Sequence, residues 1–128
     1  MSDLEKSSKN FKKALSQLDE FLQVENPRKI ERAGIIQAFE FCFELAWKHF
    51  KKISDDNGLA VGSPKQALKA AFSQGLIDDQ DIWLEMLVDR NLTVHSYNDE
   101  LSQAIYERIR DKYQFVFHQI IKNETSKM

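Results

Sequence analysis

Apolar residues recur at helical spacing along nearly the whole chain. The first such stretch, residues 4–24, has apolar positions at steps of three, four and seven: Leu4, Phe11, Leu15, Leu18 and Leu22. Ser2 and Glu5, around its first residue, form the capping-box pattern that marks a helix N-terminus. Glycine and proline are rare and no window alternates like a run of strands, so the pattern predicts an all-α fold.

A second helix is predicted from Asn26, as N-cap, and Pro27, as the first helical residue, to about Ser54. Its middle, GIIQAFEFCFELAWKHF, is apolar on more than one face. One stripe contains Ile36, Phe39, Phe43 and Phe50, and other faces carry Phe41, Leu45 and Trp47. A helix this apolar is either central in its own fold or shared with a partner surface, which favours a homodimer.

Three more helices follow. Ser63-Pro64 opens a short one that ends near Gly75, and Asp78 and Asp79 start the helix DQDIWLEMLVDRNL. The last helix begins at 98–100, where acidic residues suit the helix dipole, and its apolar seam is Leu101, Ile105, Ile109, Tyr113, Val116 and Ile120. Four long helices and one short one, joined by short links, predict an antiparallel up-and-down four-helix bundle, with the short helix in the connection before the third long one. We expect one domain over residues 1–128.

Composition excludes several classes of protein. An apolar fraction of 42% and a charged fraction of 30% are typical of a soluble globular chain. No apolar run approaches the roughly 20 residues of a membrane helix, and the polar N-terminus lacks a signal-peptide core, so we expect a cytoplasmic protein. The single cysteine, Cys42, lies in an apolar stretch and is expected to be a buried thiol.

Whole-chain charge gives no support to a stable nucleic-acid-binding module. The net charge is −2 and the pI about 5.9, whereas proteins that grip DNA or RNA by its phosphates usually have a basic surface. We therefore expect no DNA partner. Contact with RNA at a small local site stays open.

The stretch DRNLTVHSYNDE, residues 89–100, carries the candidate chemistry. On a regular helix Arg90 and His95 would lie about 500° apart, or 140° after one full turn, and so on different faces. If the helix unwinds near Val94, as the break-favouring Ser96 and Asn98 indicate, the histidine can swing back toward the arginine.

Arginine offers a charged fork for a phosphate, and histidine exchanges protons near neutral pH. Together Arg90 and His95, with Tyr97 close by, suit RNA cleavage by the RNA's own 2′-hydroxyl without a metal. The plain structural alternative is that Arg90 pairs with Asp89 or Glu85 and that His95 caps the end of its helix.

Arg90, His95 and Tyr97 form an Arg-x4-His-x-Tyr pattern that resembles the signature of HEPN-domain proteins. It most resembles the nucleotidyltransferase substrate-binding protein family, which includes the HepT toxins. The stretches FEFCFELAWKHFK and LVDRNLTVHSYNDE, the length and the helix order all look like that family, so the resemblance covers roughly the whole chain.

The resemblance implies an up-and-down bundle, usually a homodimer, in which the motifs of two subunits face each other. It implies that Arg90 stabilises the phosphate, that His95 is the general acid and base, and that Asn91 positions RNA or the arginine. It also implies a small separate nucleotidyltransferase partner that uses a nucleoside triphosphate and Mg²⁺. In toxin–antitoxin members that partner transfers AMP to the motif tyrosine, here Tyr97, and the added charge and bulk block RNA.

A second reading of the same family makes this chain the non-catalytic substrate-binding half of a split nucleotidyltransferase. Three acidic neighbours of the motif, Asp89, Asp99 and Glu100, oppose RNA binding and favour this reading.

Other polar residues suggest no further centre. His49 and His118 have no Cys or His at metal-ligand spacing beside them, so we expect no metal site. The sequence contains no glycine-rich loop of the kind that binds phosphates, so we expect no cofactor in this chain. Glu40 and Glu44 share a helix face and could line a cleft opposite the arginine. Ion pairing is favoured, however, because Lys48 follows Glu44 at four residues.

Overall fold

The fold is entirely helical over residues 2–126, the part of the chain that the computed structural model describes. The six α-helices are α1 (Asp3–Phe21), α2 (Lys29–Asp56), α3 (Pro64–Ser73), α4 (Gln80–Leu92), α5 (Asp99–Arg108) and α6 (Gln114–Ser126). A 3₁₀ turn, Thr93–His95, follows α4, and a π turn, Ile109–Tyr113, joins α5 to α6 without a break. The predicted all-α class is confirmed, with α5, the π turn and α6 together making the fifth helical rod.

Four predicted helix starts are confirmed by their capping hydrogen bonds. In each, a side-chain oxygen accepts from the backbone N–H three residues later at 3.1–3.2 Å; the capping residues are Ser2, Ser63, Asp79 and Asn98. Gly75, just after α3, has a φ of 73°, the left-handed conformation that ends helices at glycine.

The predicted start of the second helix is wrong. Asn26 does not cap it, because its φ of 48° puts it in the left-handed region, which asparagine tolerates better than most residues. The helix instead begins at Lys29, and the backbone N–H of Arg28 donates to the carboxylate of Glu31 at 2.9 Å. Sequence alone favoured the Asn-Pro signal, but both residues lie in the connection between α1 and α2.

Helix α2 is central, as its apolar faces predicted. It contacts α1, α3, α4 and α5. Its predicted stripe is confirmed, since all four members are buried: Ile36, Phe39, Phe43 and Phe50. Around it the aromatic rings of α4 and α6 close the core, with Trp83 packed edge-on against Phe50 and Phe117.

Phe41 marks the limit of that burial, because half of its surface stays exposed. Cys42, the next residue, is fully buried as predicted, and burial raises the pKa of its thiol to about 12.

No helix within residues 2–126 is both long and apolar enough to cross a membrane.

The π turn explains how the last apolar seam stays in register. Successive four-residue steps advance by about 40° each on an α-helix, so the seam drifts around the rod. The wider π turn takes up this drift. Ile105, Ile109, Tyr113 and Phe117 consequently all face the core and are fully buried, whereas Val116, which the sequence placed in this seam, is only partly buried.

Candidate functional site

The backbone of the motif segment, residues 90–97, is fixed by local hydrogen bonds. The hydroxyl of Thr93 donates to the carbonyl of Arg90 at 2.7 Å where α4 ends. The N–H of Ser96 then donates to the Thr93 carbonyl, and the N–H of Asn98 to the His95 carbonyl, both at 3.0 Å. The predicted unwinding before the histidine is confirmed: the α-helix gives way to a 3₁₀ turn after residue 92.

This turn brings His95 and Tyr97 together. The Nδ1 atom of His95 lies 3.3 Å from the Tyr97 hydroxyl, and the two rings meet edge to face with centroids 5.9 Å apart. Both side chains are exposed, Tyr97 by 77% of its surface. Asn91, at the end of α4, is exposed as well. A proton donor and acceptor pair therefore stands on the surface at this turn.

Arg90 reaches across to α2. Its Nη2 atom lies 3.4 Å from Oε2 of Glu44, and more than a third of its side chain remains exposed. Glu44 also accepts from Trp47 Nε1 at 3.1 Å and pairs with Lys48 at 3.3 Å, as the four-residue spacing predicted. Burial opposes ionisation of Glu44, but the hydrogen bonds from Trp47 and Lys48 outweigh it, and the pKa of Glu44 is lowered. Within the part of the chain described, no hydrogen bond joins Arg90 to His95.

The alternative pairing of Arg90 with its acidic neighbours is wrong. Asp89 points the other way, is buried, and binds Arg108 through two hydrogen bonds of 2.7 and 2.8 Å. The Tyr113 hydroxyl also donates to Asp89. Adjacent residues on a helix diverge by about 100°, so one faces the core while the next faces outward.

Glu85, one turn before Asp89, also has partners other than Arg90. It accepts from Lys112 Nζ at 2.7 Å and from the Tyr113 hydroxyl at 3.1 Å. We refer to Asp89, Glu85, Arg108, Lys112 and Tyr113 as the Asp89 cluster. Asp89 raises the pKa of Arg108, and burial, followed by the Asp89 contact, raises the pKa of Tyr113.

The negative charge expected to oppose RNA is largely compensated. Asp89 is neutralised by Arg108 inside the fold. Asp99 lies 3.3 Å from Lys29 and 3.2 Å from Arg32. Of the three acidic neighbours, Glu100 is the one that stays exposed without an ion pair among the described residues. The surface around the motif is therefore less acidic than the sequence suggested.

The remaining histidines have structural roles. His49 is buried and contacts Ser7 Oγ at 2.9 Å through Nδ1 and Glu124 Oε1 at 2.6 Å through Nε2, which ties α2 to α1 and α6. His118 lies 2.9 Å from Asp19. Over residues 2–126, no three His, Cys, Asp or Glu side chains are grouped so that they could hold a metal ion.

Sequence reasoning missed the Asp89 cluster. A signal was present, because Glu85 and Asp89 are four residues apart and share a helix face that also borders the buried Met86. Carboxylates beside a core face need cationic partners. What the pattern could not supply was that Arg108 and Lys112, on another helix, are those partners.

Comparison with known proteins places the chain among its relatives. The family described as nucleotidyltransferase substrate binding protein like matches residues 6–125. A Haemophilus influenzae protein named probable ribonuclease HepT is 39% identical over 85 residues, which are 62% of this chain and 58% of that relative. The chain thus matches less than two thirds of the length of this curated relative.

Two solved structures are similar in fold. A crystal structure of a Thermus thermophilus protein is 37% identical, with a TM-score of 0.81, covering 88% of this chain and 97% of that one. A Haemophilus influenzae structure, described as the fold of a substrate binding domain of a nucleotidyltransferase, is 27% identical with a TM-score of 0.66. It covers 94% of this chain and 95% of that one.

Proposed function

Since the chain belongs to the nucleotidyltransferase substrate binding protein like family, we propose that it is the HepT-like partner subunit of a minimal nucleotidyltransferase, of toxin–antitoxin type. In this proposal the chain is a metal-independent endoribonuclease that acts through Arg90 and His95, and adenylylation of Tyr97 silences it. The partner enzyme, not this chain, uses the nucleoside triphosphate and Mg²⁺.

The observation that carries the proposal is the surface arrangement of the motif segment. A partly exposed cationic fork lies at the same helix end as an exposed imidazole and an exposed phenol, and the imidazole lies 3.3 Å from the phenol. Arginine stabilises charge on a phosphate, and histidine moves protons near neutral pH. The name of the HepT relative supports the same chemistry.

The cleavage step needs no metal. A base removes the proton from a ribose 2′-hydroxyl, whose oxygen attacks the adjacent phosphorus. The bond to the 5′-oxygen breaks, and an acid protonates that leaving oxygen. His95 serves as acid or base, Arg90 stabilises the charge that develops on the phosphate, and Asn91 positions RNA or Arg90. Modification of Tyr97 would place a bulky anion beside His95, where the RNA phosphate has to bind.

We further propose that the helices form an antiparallel four-helix bundle, with α3 as the extra short helix, and that two copies associate. Large apolar side chains are exposed on α2, on α4 just before the motif segment and within that segment: Ile30, Phe41, Val88, Val94 and Tyr97. Such exposure supports an interface. A homodimer that joins the two motif segments would supply a second histidine, so that one could act as base and the other as acid.

The alternative is a non-catalytic substrate-binding subunit of a two-chain nucleotidyltransferase. One observation favours it: Arg90 is already paired with Glu44, a carboxylate that competes with a phosphate for the guanidinium. The description of the Haemophilus influenzae structural relative supports it as well.

Cleavage of RNA by the purified protein in excess EDTA tests the proposal. Intact mass first establishes that Tyr97 is unmodified, and His95→Ala and His118→Ala are run beside the parent. We expect cleavage by the parent and by His118→Ala, whose exposed imidazole lies elsewhere, and none by His95→Ala. Absence of cleavage by an unmodified, dimeric parent over a broad RNA panel would favour the binding-subunit alternative.

A further inference from the structure

We propose that His95 is the proton acceptor for Tyr97 when this tyrosine receives a nucleotide, an inference that rests on the proposed adenylylation. His95 would then act both in the adenylylation of Tyr97 and in the RNA cleavage that this adenylylation blocks. The chemical class of co-reactant is a nucleoside triphosphate held by the partner nucleotidyltransferase.

The contact between the two side chains offers a path for the proton. The hydroxyl of Tyr97 lies 3.3 Å from Nδ1 of His95. In a neutral imidazole one nitrogen carries the hydrogen and the other accepts, so a phenol that donates to Nδ1 requires the tautomer protonated at Nε2. In that tautomer the phenolic proton is directed at a nitrogen that can take it.

A base is needed because a phenol is a weak nucleophile at neutral pH. An ordinary tyrosine has a pKa of about 10, so roughly one molecule in a thousand is ionised at pH 7. A positioned base within hydrogen-bond reach removes this limitation. The edge-to-face packing of the two rings keeps Nδ1 beside the hydroxyl and leaves the phenol itself open.

Two of the three carboxylates on the adjoining helices are engaged elsewhere. Glu44 on α2 is bound by Trp47, Lys48 and Arg90. Asp99, at the start of α5, is bound by Lys29 and Arg32. Glu100 is exposed beyond it. Within residues 2–126, His95 is the titratable side chain hydrogen-bonded to the Tyr97 hydroxyl.

The transfer step balances without an oxidant or reductant. The Tyr97 oxygen attacks the α-phosphorus of the triphosphate, and the bond from that phosphorus to the bridging oxygen breaks. Pyrophosphate leaves with the electron pair. The phenolic proton moves to Nδ1 of His95, which becomes an imidazolium and later releases the proton to water. The product is a phosphodiester that joins Tyr97 to the nucleotide. Its negative charge lies beside His95 and attracts the imidazolium.

The exposed position of both residues allows a clean test. The full-length chain is mixed with its partner nucleotidyltransferase and Mg-ATP, and incorporation of AMP at Tyr97 is followed by intact mass. His95→Ala removes the ring. His95→Asn keeps a hydrogen-bonding group near the position of Nδ1 but cannot take the proton. His118→Ala is the matched control.

We expect kcat for incorporation to fall about a hundredfold in both His95 variants, with little change in KM for the chain, because a base acts on the chemical step and not on docking. The pH dependence of incorporation into the parent and His118→Ala should differ from that of both His95 variants, because only the first two retain the imidazole that accepts the phenolic proton.

Three results would overturn the inference, and they are distinguishable. A normal rate in His95→Ala would mean that the partner supplies the base. A normal rate in His95→Asn alone would make His95 a positioning residue. No incorporation at Tyr97 of the parent would refute the proposed acceptor itself, and with it the role of His95.

Discussion

Asp89 and Arg90 are neighbours in the sequence but belong to two different regions of the molecule. Asp89 is buried in the Asp89 cluster, where Arg108 and Tyr113 satisfy its carboxylate. Arg90 begins the motif segment, whose candidate site side chains make few and longer contacts: 3.4 Å from Arg90 to Glu44 and 3.3 Å between the exposed His95 and Tyr97. One helical step of about 100° separates the two environments.

The difference shows where this protein places stability and where it places reactivity. Charges in the Asp89 cluster lie close to one another and hold α4 against the rod formed by α5 and α6. Charges in the motif segment are held loosely and stay available to a ligand. A substitution in the first region should therefore change the free energy of unfolding, and one in the second should change chemistry.

The largest effect is expected for Asp89→Ala. It leaves Arg108 without its anion and removes an acceptor of the Tyr113 hydroxyl, so we expect a loss of about 3 kcal/mol in the free energy of unfolding. Urea denaturation measures it. Asp99→Ala is the control, because this exposed carboxylate also pairs with cations but should cost less than about 1 kcal/mol. Equal losses in the two variants would contradict the distinction between the regions.

An intermediate effect is expected on acidification, through Glu85. The ammonium of Lys112, with a smaller contribution from the Tyr113 hydroxyl, holds the pKa of Glu85 below its ordinary value although partial burial opposes this. A carboxyl whose pKa is lower in the native state stabilises the fold above the unfolded-state value of about 4.3, and this stabilisation is lost as pH falls through the native value.

Thermal unfolding between pH 3 and pH 7 tests that expectation. The melting temperature of the parent should fall below about pH 5, and Glu85→Gln should lower it near pH 7 while weakening the acid dependence. Glu100→Gln, at an exposed position in the first turn of α5, is the matched control and should leave the dependence of melting temperature on pH unchanged. If the melting temperature of Glu85→Gln depended on pH in the same way as that of the parent, the Glu85–Lys112 ion pair would contribute nothing to the acid dependence of stability.

The smallest effect on stability is expected for Arg90→Ala. The Arg90–Glu44 pair is more than one third exposed on the arginine side and spans 3.4 Å, so its loss should cost less than about 1 kcal/mol. Arg108→Ala, the same substitution in the Asp89 cluster, should cost at least about 2 kcal/mol because a buried carboxylate loses its cation. Chemical denaturation of both variants compares them directly. A large loss in Arg90→Ala would give this arginine a structural role.

Much of the fold was accessible from the sequence because helices are local. Ser63 and Asp79 each cap a helix by accepting a hydrogen bond from the backbone N–H three residues later, so these helix starts can be predicted from a short stretch of sequence. The prediction failed at Asn26, where a turn used a residue that also makes a good cap. It also missed the π turn, which adjusts the register of a long seam and leaves no local signature.

The candidate site was accessible only in part. The pattern of Arg90, His95 and Tyr97 was readable, and so was the unwinding that precedes the histidine. Spacing offered Asp89 and Glu85 as ion-pair partners of Arg90, and a place for Glu44 opposite the arginine was the less favoured interpretation; the partner is Glu44. Distances along one helix do not determine which side chains of another helix lie opposite.

By itself, then, the sequence determined the helices, the apolar faces that bury them and the chemical types at the motif, because these follow from short-range geometry and composition. Only the tertiary structure decided that Asp89 turns inward to Arg108, that Arg90 turns outward to Glu44, and that His95 rests against the Tyr97 hydroxyl. The first two depend on how separate helices pack. The third depends on the exact path of the short connection between α4 and α5, which no residue pattern specifies.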